Sequence, residues 1–292
     1  FKIQNSKWKM KITNSQTLYS KVCYLQVKDI NNLFGIFQHI INLGKMTNQN
    51  FSQNGNIILI DVGTHSCGEI KSFTDSKFFF FKLIKRTIKN IYEKRSLNLS
   101  NFLSLIINHF KLKNVFKKIT LILIEPNYLH FEEKPYKLSS MVLPAAINST
   151  NDKNSSRTLK LFFANNDPKS AGNSIFSSKS NVNNKNFMNV LSLNSYELLE
   201  IIEKSYLHEK SIVILRVNCE GMEDEIIYEF KKTLKNRLKG IMGSLKDVKS
   251  IKGNKKYSQL MKFIDDEEII FIPFSDDIDT WNRAHSFLYS LL

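Results

Sequence analysis

Three acids and an amide stand where apolar runs end, and that is the placement from which cofactor chemistry usually starts. Ile57, Ile58, Leu59 and Ile60 lead into Asp61, Val62 and Gly63, with His65, Cys67 and Gly68 close behind. Residues 119–124 lead into Glu125, Pro126 and Asn127, and residues 211–217 into Asn218, Glu220, Gly221 and Glu223. Unbroken apolar, β-branched runs suit strands covered on both faces, as in a parallel sheet. In such sheets ligands sit outside the carboxyl ends of the strands. An acid there accepts hydrogen bonds from ribose hydroxyls, and glycine lets backbone approach where a Cβ would collide. Glu125 is the candidate for the ribose contact, and Pro126 helps to end its strand by fixing φ and removing a donor. The competing structural reading is a surface acid or a plain turn closing a buried strand.

Taken together, the three segments resemble the FkbM family of S-adenosylmethionine-dependent methyltransferases. Its signatures are Asp-Val-Gly after the first strand, Glu-Pro after the second, and a strand closing on (Lys/Arg)-x-(Asp/Asn)-x-Glu-Gly-x-Glu. This chain has Asp61-Val62-Gly63, Glu125-Pro126 and Arg216-Val217-Asn218-Cys219-Glu220-Gly221-Met222-Glu223. Residues 142–147 fall in order as a third strand, and Ala171-Gly172-Asn173-Ser174-Ile175 is similar to the family's Gly-x-Ser-(Ser/Asn)-Leu stretch. The match runs from residue 57 to about 227 and leaves out the flanks. It departs in three places: His65 and Cys67 replace the usual Asn and Gly, Asn218 replaces the commoner Asp, and about forty residues more than one crossover helix needs separate Asp61 from Glu125.

The resemblance implies an α/β fold of the Rossmann-like, class I methyltransferase kind. A seven-stranded, mostly parallel, doubly wound sheet is expected, its last strands antiparallel. It implies S-adenosyl-L-methionine as cofactor, bound by Asp61, Gly63, His65, Gly68, Glu125, Pro126, Ala146 and Asn218. It also implies O-methylation of a hydroxyl on a sugar, glycan or secondary metabolite, with Asp167, Asn173 and Ser174 beside the acceptor. Methyl transfer by in-line displacement asks the protein mainly for alignment. A hydroxyl acceptor also needs a base within hydrogen-bond reach; Glu220 ranks first, then Glu223, then His65. Two other readings stay open: a non-catalytic relative that binds cofactor or glycan, suggested by Asn218, His65 and Cys67, and a nicotinamide oxidoreductase. The spacing from Gly63 to Gly68 does not fit the Gly-x-Gly-x-x-Gly turn of the latter.

Composition bounds the rest. At 292 residues and 42 % hydrophobic content the chain is long enough for one large domain or a domain with a cap. The net charge of +15 comes from 42 basic residues, of which 36 are Lys and only six are scattered Arg, a skew that resembles AT-rich coding. A nucleic-acid surface would show Arg clusters interleaved with aromatics, so nucleic acid is not the expected partner. Cys23, Cys67 and Cys219 cannot all pair, which fits a reducing compartment. Only His65 lies near Cys67, so no metal is expected. No run approaches the roughly eighteen apolar residues of a membrane span, and no signal pattern opens the chain. A cytoplasmic protein is the resulting expectation.

Around the motif strands, residues 1–50 read as a flanking or cap segment with a helix over 28–43, and 51–292 as the catalytic domain. An insertion at about 71–117 carries two basic amphipathic helices. It reads as a lid, a membrane-surface element, padding, or a homodimer contact. Residues 148–189 read as loop with an edge strand at 159–163, followed by a helix over 195–208 capped by Asn194 or Ser195. A helix after Gly221, strands at 238–245 and 268–274, and a last helix over 280–292 complete the expectation.

Overall fold

A computed structural model describes residues 57–92, 99–148, 158–274 and 278–291. The flanking segment 1–50, with its helix over 28–43 and Cys23, lies outside the described residues. The first half runs β1 (Ile57–Val62), α1 (Gly68–Thr74), α2 (Ser76–Tyr92), α3 (Leu99–Val115), β2 (Thr120–Ile124), α4 (Lys134–Leu138), β3 (Met141–Leu143) and β4 (Ala145–Asn148). The second runs β5 (Thr158–Ala164), β6 (Val182–Asn194), α5 (Ser195–Tyr206), β7 (Ile212–Val217), α6 (Glu223–Leu234), β8 (Leu238–Gly243), α7 (Lys246–Asp266), β9 (Ile270–Pro273) and α8 (Ile278–Ser290).

Six strands form the central sheet in the order β3-β2-β1-β7-β8-β9, and every neighbouring pair is parallel. Two expectations are corrected here: the described central sheet has six strands rather than seven, and its last strands are parallel rather than antiparallel. The helix α7, which the sequence reading did not name, makes the crossover that lets β9 run beside β8 in the same direction. All six residues of β1 and all five of β2 are buried. Their side chains alternate between two cores: Ile58, Ile60 and Val62 pack with residues of α5 and α6, while Ile57 and Leu59 pack with residues of α1 and α3. That two-sided cover is the reason these strands are apolar throughout rather than at every second residue.

Residues 142–147 do not form one strand. Pro144 has no N–H to donate to a ladder, and the run divides there into β3, in the central sheet, and β4, in a second sheet of order β4-β6-β5. In that sheet β4 is parallel and β5 antiparallel to β6, with a register shift between Phe162 and Phe163. The expected edge strand is β5, longer by a residue at each end.

The insertion holds the two expected long helices, α2 and α3. They do not stand apart from the fold: Phe79, Leu83 and Leu105 share a small core with Ile278 and Trp281 of α8. Asn108 of α3 also donates to Asn282 and Ser286 of α8. Asn194 caps α5, accepting from the Glu197 amide while Glu197 accepts from the Asn194 amide, the reciprocal arrangement that satisfies two otherwise orphaned donors. Among the described residues no helix is long and apolar enough to cross a membrane.

Candidate functional site

The strand order reverses between β1 and β7, and in doubly wound sheets that reversal opens a crevice at the carboxyl ends of the strands. A cavity of about 50 Å³ lies there. Gly63, His65, Glu125, Pro126, Ala146, Asn173, Ser174, Asn218 and Glu220 line it, so nine of the residues singled out from sequence meet at one place. Asp61, Gly68, Asp167 and Glu223 are not in its lining, and each has another task.

Asp61 is buried and bonded to Arg216 Nη1 at 2.8 Å, directly across the β1–β7 ladder. The same Nη1 donates to the Gly63 carbonyl, and Nη2 to Glu69 at 3.0 Å. Burial pushes the Asp61 carboxyl up to about 6 although Arg216 pulls it down. Burial also opposes the charge on Arg216, yet Asp61 and Glu69 hold it protonated above its ordinary range. Asp61 therefore binds two strands together. Gly68 opens α1, and its carbonyl accepts from Lys82. Asp167 accepts from the Lys169 amide in a turn. Glu223 is fully buried and accepts from the amides of Cys219 and Gly221 at 2.9 Å each, with burial raising its carboxyl to about 7. It clamps the turn in which Glu220, at φ 61, and Gly221, at φ 127, take left-handed backbone.

Gly63 is required by packing. At φ +74 a Cβ would lie 2.0 Å from the Asn218 carbonyl oxygen, so the turns after β1 and β7 touch only because that side chain is absent.

Glu125 is one of two acids in the cavity lining, with Glu220. One oxygen accepts from the His65 amide at 2.7 Å and the other from the Asn127 amide at 2.8 Å. Burial pushes its carboxyl up to about 7 against the pull of those two amides. A carboxylate offers about four lone-pair sites, so two amides leave acceptor capacity for a diol. The His65 and His130 rings lie against each other at a tilt of 55°, with centroids 4.0 Å apart. Its Nε2 lies 2.9 Å from the Lys169 carbonyl, which assigns the proton to Nε2, and its Nδ1 lies 3.1 Å from Ser66 Oγ. Burial, with His65 adding to it, holds His130 down at about 4.

One segment roofs the cavity. Pro168 O accepts from the side-chain Nδ2 groups of both Asn127 and Asn173, Lys169 O meets His65, and Ser174 Oγ donates to the Glu220 carbonyl. The Glu220 carboxylate is paired with Lys179, which also reaches Asp247 at 3.5 Å. Of the three candidate bases, His65 and Glu220 face the cavity and Glu223 does not. Asn127, Ala171 and Cys219, which the motifs included without a site role of their own, also line the cavity, as do His130 and Ser170, which the sequence did not single out. For His130 the linear sequence carried no signal.

Small-molecule sites usually hold about 300 to 1,000 Å³. At about 50 Å³ the cavity takes a few waters but no nucleoside with the roof in place. Among the described residues no group of three His, Cys, Asp or Glu side chains is placed to hold a metal. No family model, curated protein or solved structure matches the chain, so the site rests on its residues and their geometry.

Proposed function

We propose that this chain is an S-adenosylmethionine-dependent methyltransferase acting on a hydroxyl of a sugar, glycan or secondary metabolite. The observation that carries the reading is convergence: Gly63, Glu125 and Asn218, from segments as much as 155 positions apart, line one cavity at the switch point of a parallel sheet. Glu125 sits there at the end of β2 with acceptor capacity to spare, which is what a ribose diol needs. Asn218, Gly63 and Ala146 line the remainder of the space that the rest of the nucleoside takes once the roof segment withdraws.

S-adenosyl-L-methionine, when bound, supplies an already activated methyl group. The protein's part is to hold the acceptor oxygen in line and remove its proton. Glu220 is the base, since it lines the cavity and Lys179 keeps its carboxylate beside a positive charge. Asn173 and Ser174, in the roof, are the nearest groups for contacting an acceptor.

A nicotinamide oxidoreductase is the second reading, because the six parallel strands follow the order of dinucleotide-binding domains. The glycine spacing counts against it. Isothermal calorimetry with S-adenosylhomocysteine and with NAD distinguishes the two. Saturable binding of S-adenosylhomocysteine that is weakened at least tenfold by Glu125→Gln supports the methyltransferase. Binding of NAD in its place refutes it. Cofactor binding without methyl transfer to any hydroxyl acceptor would leave a non-catalytic relative.

A further inference from the structure

A second, larger cavity, of about 420 Å³, lies at the carboxyl ends of β7, β8 and β9, walled by α1, α2 and α8. It shares no lining residue with the switch-point cavity. Its size falls in the range of ligand sites. Five cations line it, Lys82, Arg86, Lys89, Arg216 and Lys246; Arg216 is already paired with Asp61 and with Glu69, the one carboxylate in the lining.

The two guanidinium groups are held in place by rings. Arg86 lies 4.2 Å from the Trp281 ring centre and Arg216 4.8 Å from that of Phe274. Such stacking fixes the planes and lowers the entropy lost when a ligand binds. Arg216 is 3 % exposed, and its Nε has no hydrogen-bond partner among the described residues. Lys246 is exposed, makes no ion pair among the described residues, and opens α7, whose first turn has no side-chain cap.

Cations on several walls favour a ligand with more than one negative charge, and lysines serve phosphate as point charges. We propose that this cavity binds a small, multiply charged, phosphate-bearing molecule. The site stands or falls apart from the methyltransferase reading, because none of its residues belongs to the other cavity.

Pyrophosphate is the probe, titrated calorimetrically into the full chain at about 0.15 M salt, near physiological ionic strength. Saturable binding that weakens as salt rises is expected. Lys89 and Lys246 are both exposed, so the double variant Lys89→Glu/Lys246→Glu should fold as the parent does, checked by circular dichroism, and bind at least tenfold more weakly. Glu220→Gln, in the other cavity, should leave pyrophosphate affinity within twofold. Absence of saturable binding overturns the proposal. So does unchanged affinity in the double variant, or a loss of binding in Glu220→Gln with none in the double variant.

Discussion

Replacing Arg216 with Met should cost the fold about 3 to 5 kcal/mol at pH 7.5, the usual penalty for removing one partner of a buried ion pair. The side chain is 3 % exposed and Asp61 1 %, so neither charge regains water when the other is removed. Asp61 already titrates near 6 in the folded protein, above the 3.8 of an ordinary carboxyl, and without Arg216 it must rise further. A folded-state value above the unfolded one makes protonation stabilising. The gain begins as pH falls through the folded value and is complete below 3.8. For the parent this is about 2 pH units at about 1.4 kcal/mol each, near 3 kcal/mol, and for Arg216→Met it is larger. The deficit of the variant, measured from urea unfolding midpoints, should therefore shrink between pH 8 and pH 5. Asp61→Asn combined with Arg216→Met should recover at least 2 kcal/mol relative to Arg216→Met alone, since no buried charge remains. A deficit below 1 kcal/mol, or one that does not change with pH, would refute the argument that these two charges stabilise the β1–β7 junction only as a pair.

Four further outcomes are expected. Gly63→Val should fail to give a folded protein, visible as a loss of cooperative thermal unfolding, because its Cβ would meet the Asn218 carbonyl at 2.0 Å. Glu125→Ala strands two buried amides and should lower the unfolding free energy in urea by about 2 to 4 kcal/mol; a loss under 0.5 kcal/mol would remove the carboxylate from that position. His285 is fully buried and held down at about 4 by burial, so it favours folding above pH 6.5 and loses that contribution as pH falls towards 4; His285→Phe should flatten this acid limb by about 3 kcal/mol in pH-dependent urea titrations. Glu220→Gln should keep S-adenosylhomocysteine affinity within a few fold and slow methyl transfer by about 10², and a full rate in that variant would pass the base role to His65.

The motif strands were legible because residues covered on both faces leave a continuous apolar run, as in β1, β2 and β7. The first half of β6 was not: Asn184, Lys185 and Asn186 are exposed, fall where the ladder with β5 skips from Phe187 to Asn183, and read as loop. The segment α7, two helical stretches meeting at a kink at Gly253 (φ 87), buries only Val248, Leu260 and Ile264, too sparse a stripe to mark a helix by period. Within the site, Glu125 and Gly63 announced themselves by type and position, but their partners lie far off in sequence. One long-range signal was there to be read: Arg216 sits inside the apolar run from Ile212 to Val217, and a buried charge must be paired. That requirement pointed to Asp61. It also changes the meaning of the sequence signature, since Asp61, Gly63, Arg216 and Glu223 hold the two turns together while Glu125, Asn218 and Glu220 are left to face the cavity.

The position of β1 between β2 and β7 has a consequence for biogenesis. One side of β1 is completed by β2, but the other waits for Ile212–Val217, about 150 residues later in the chain. At 5 to 20 residues per second of synthesis, that interval is roughly 8 to 30 s. Throughout it, the half-built sheet presents an open edge of buried-type residues, with no partner yet translated and every chance of pairing with a neighbouring nascent chain. Slowing elongation after residue 150 should lower soluble yield, whereas slowing it after residue 217 should not.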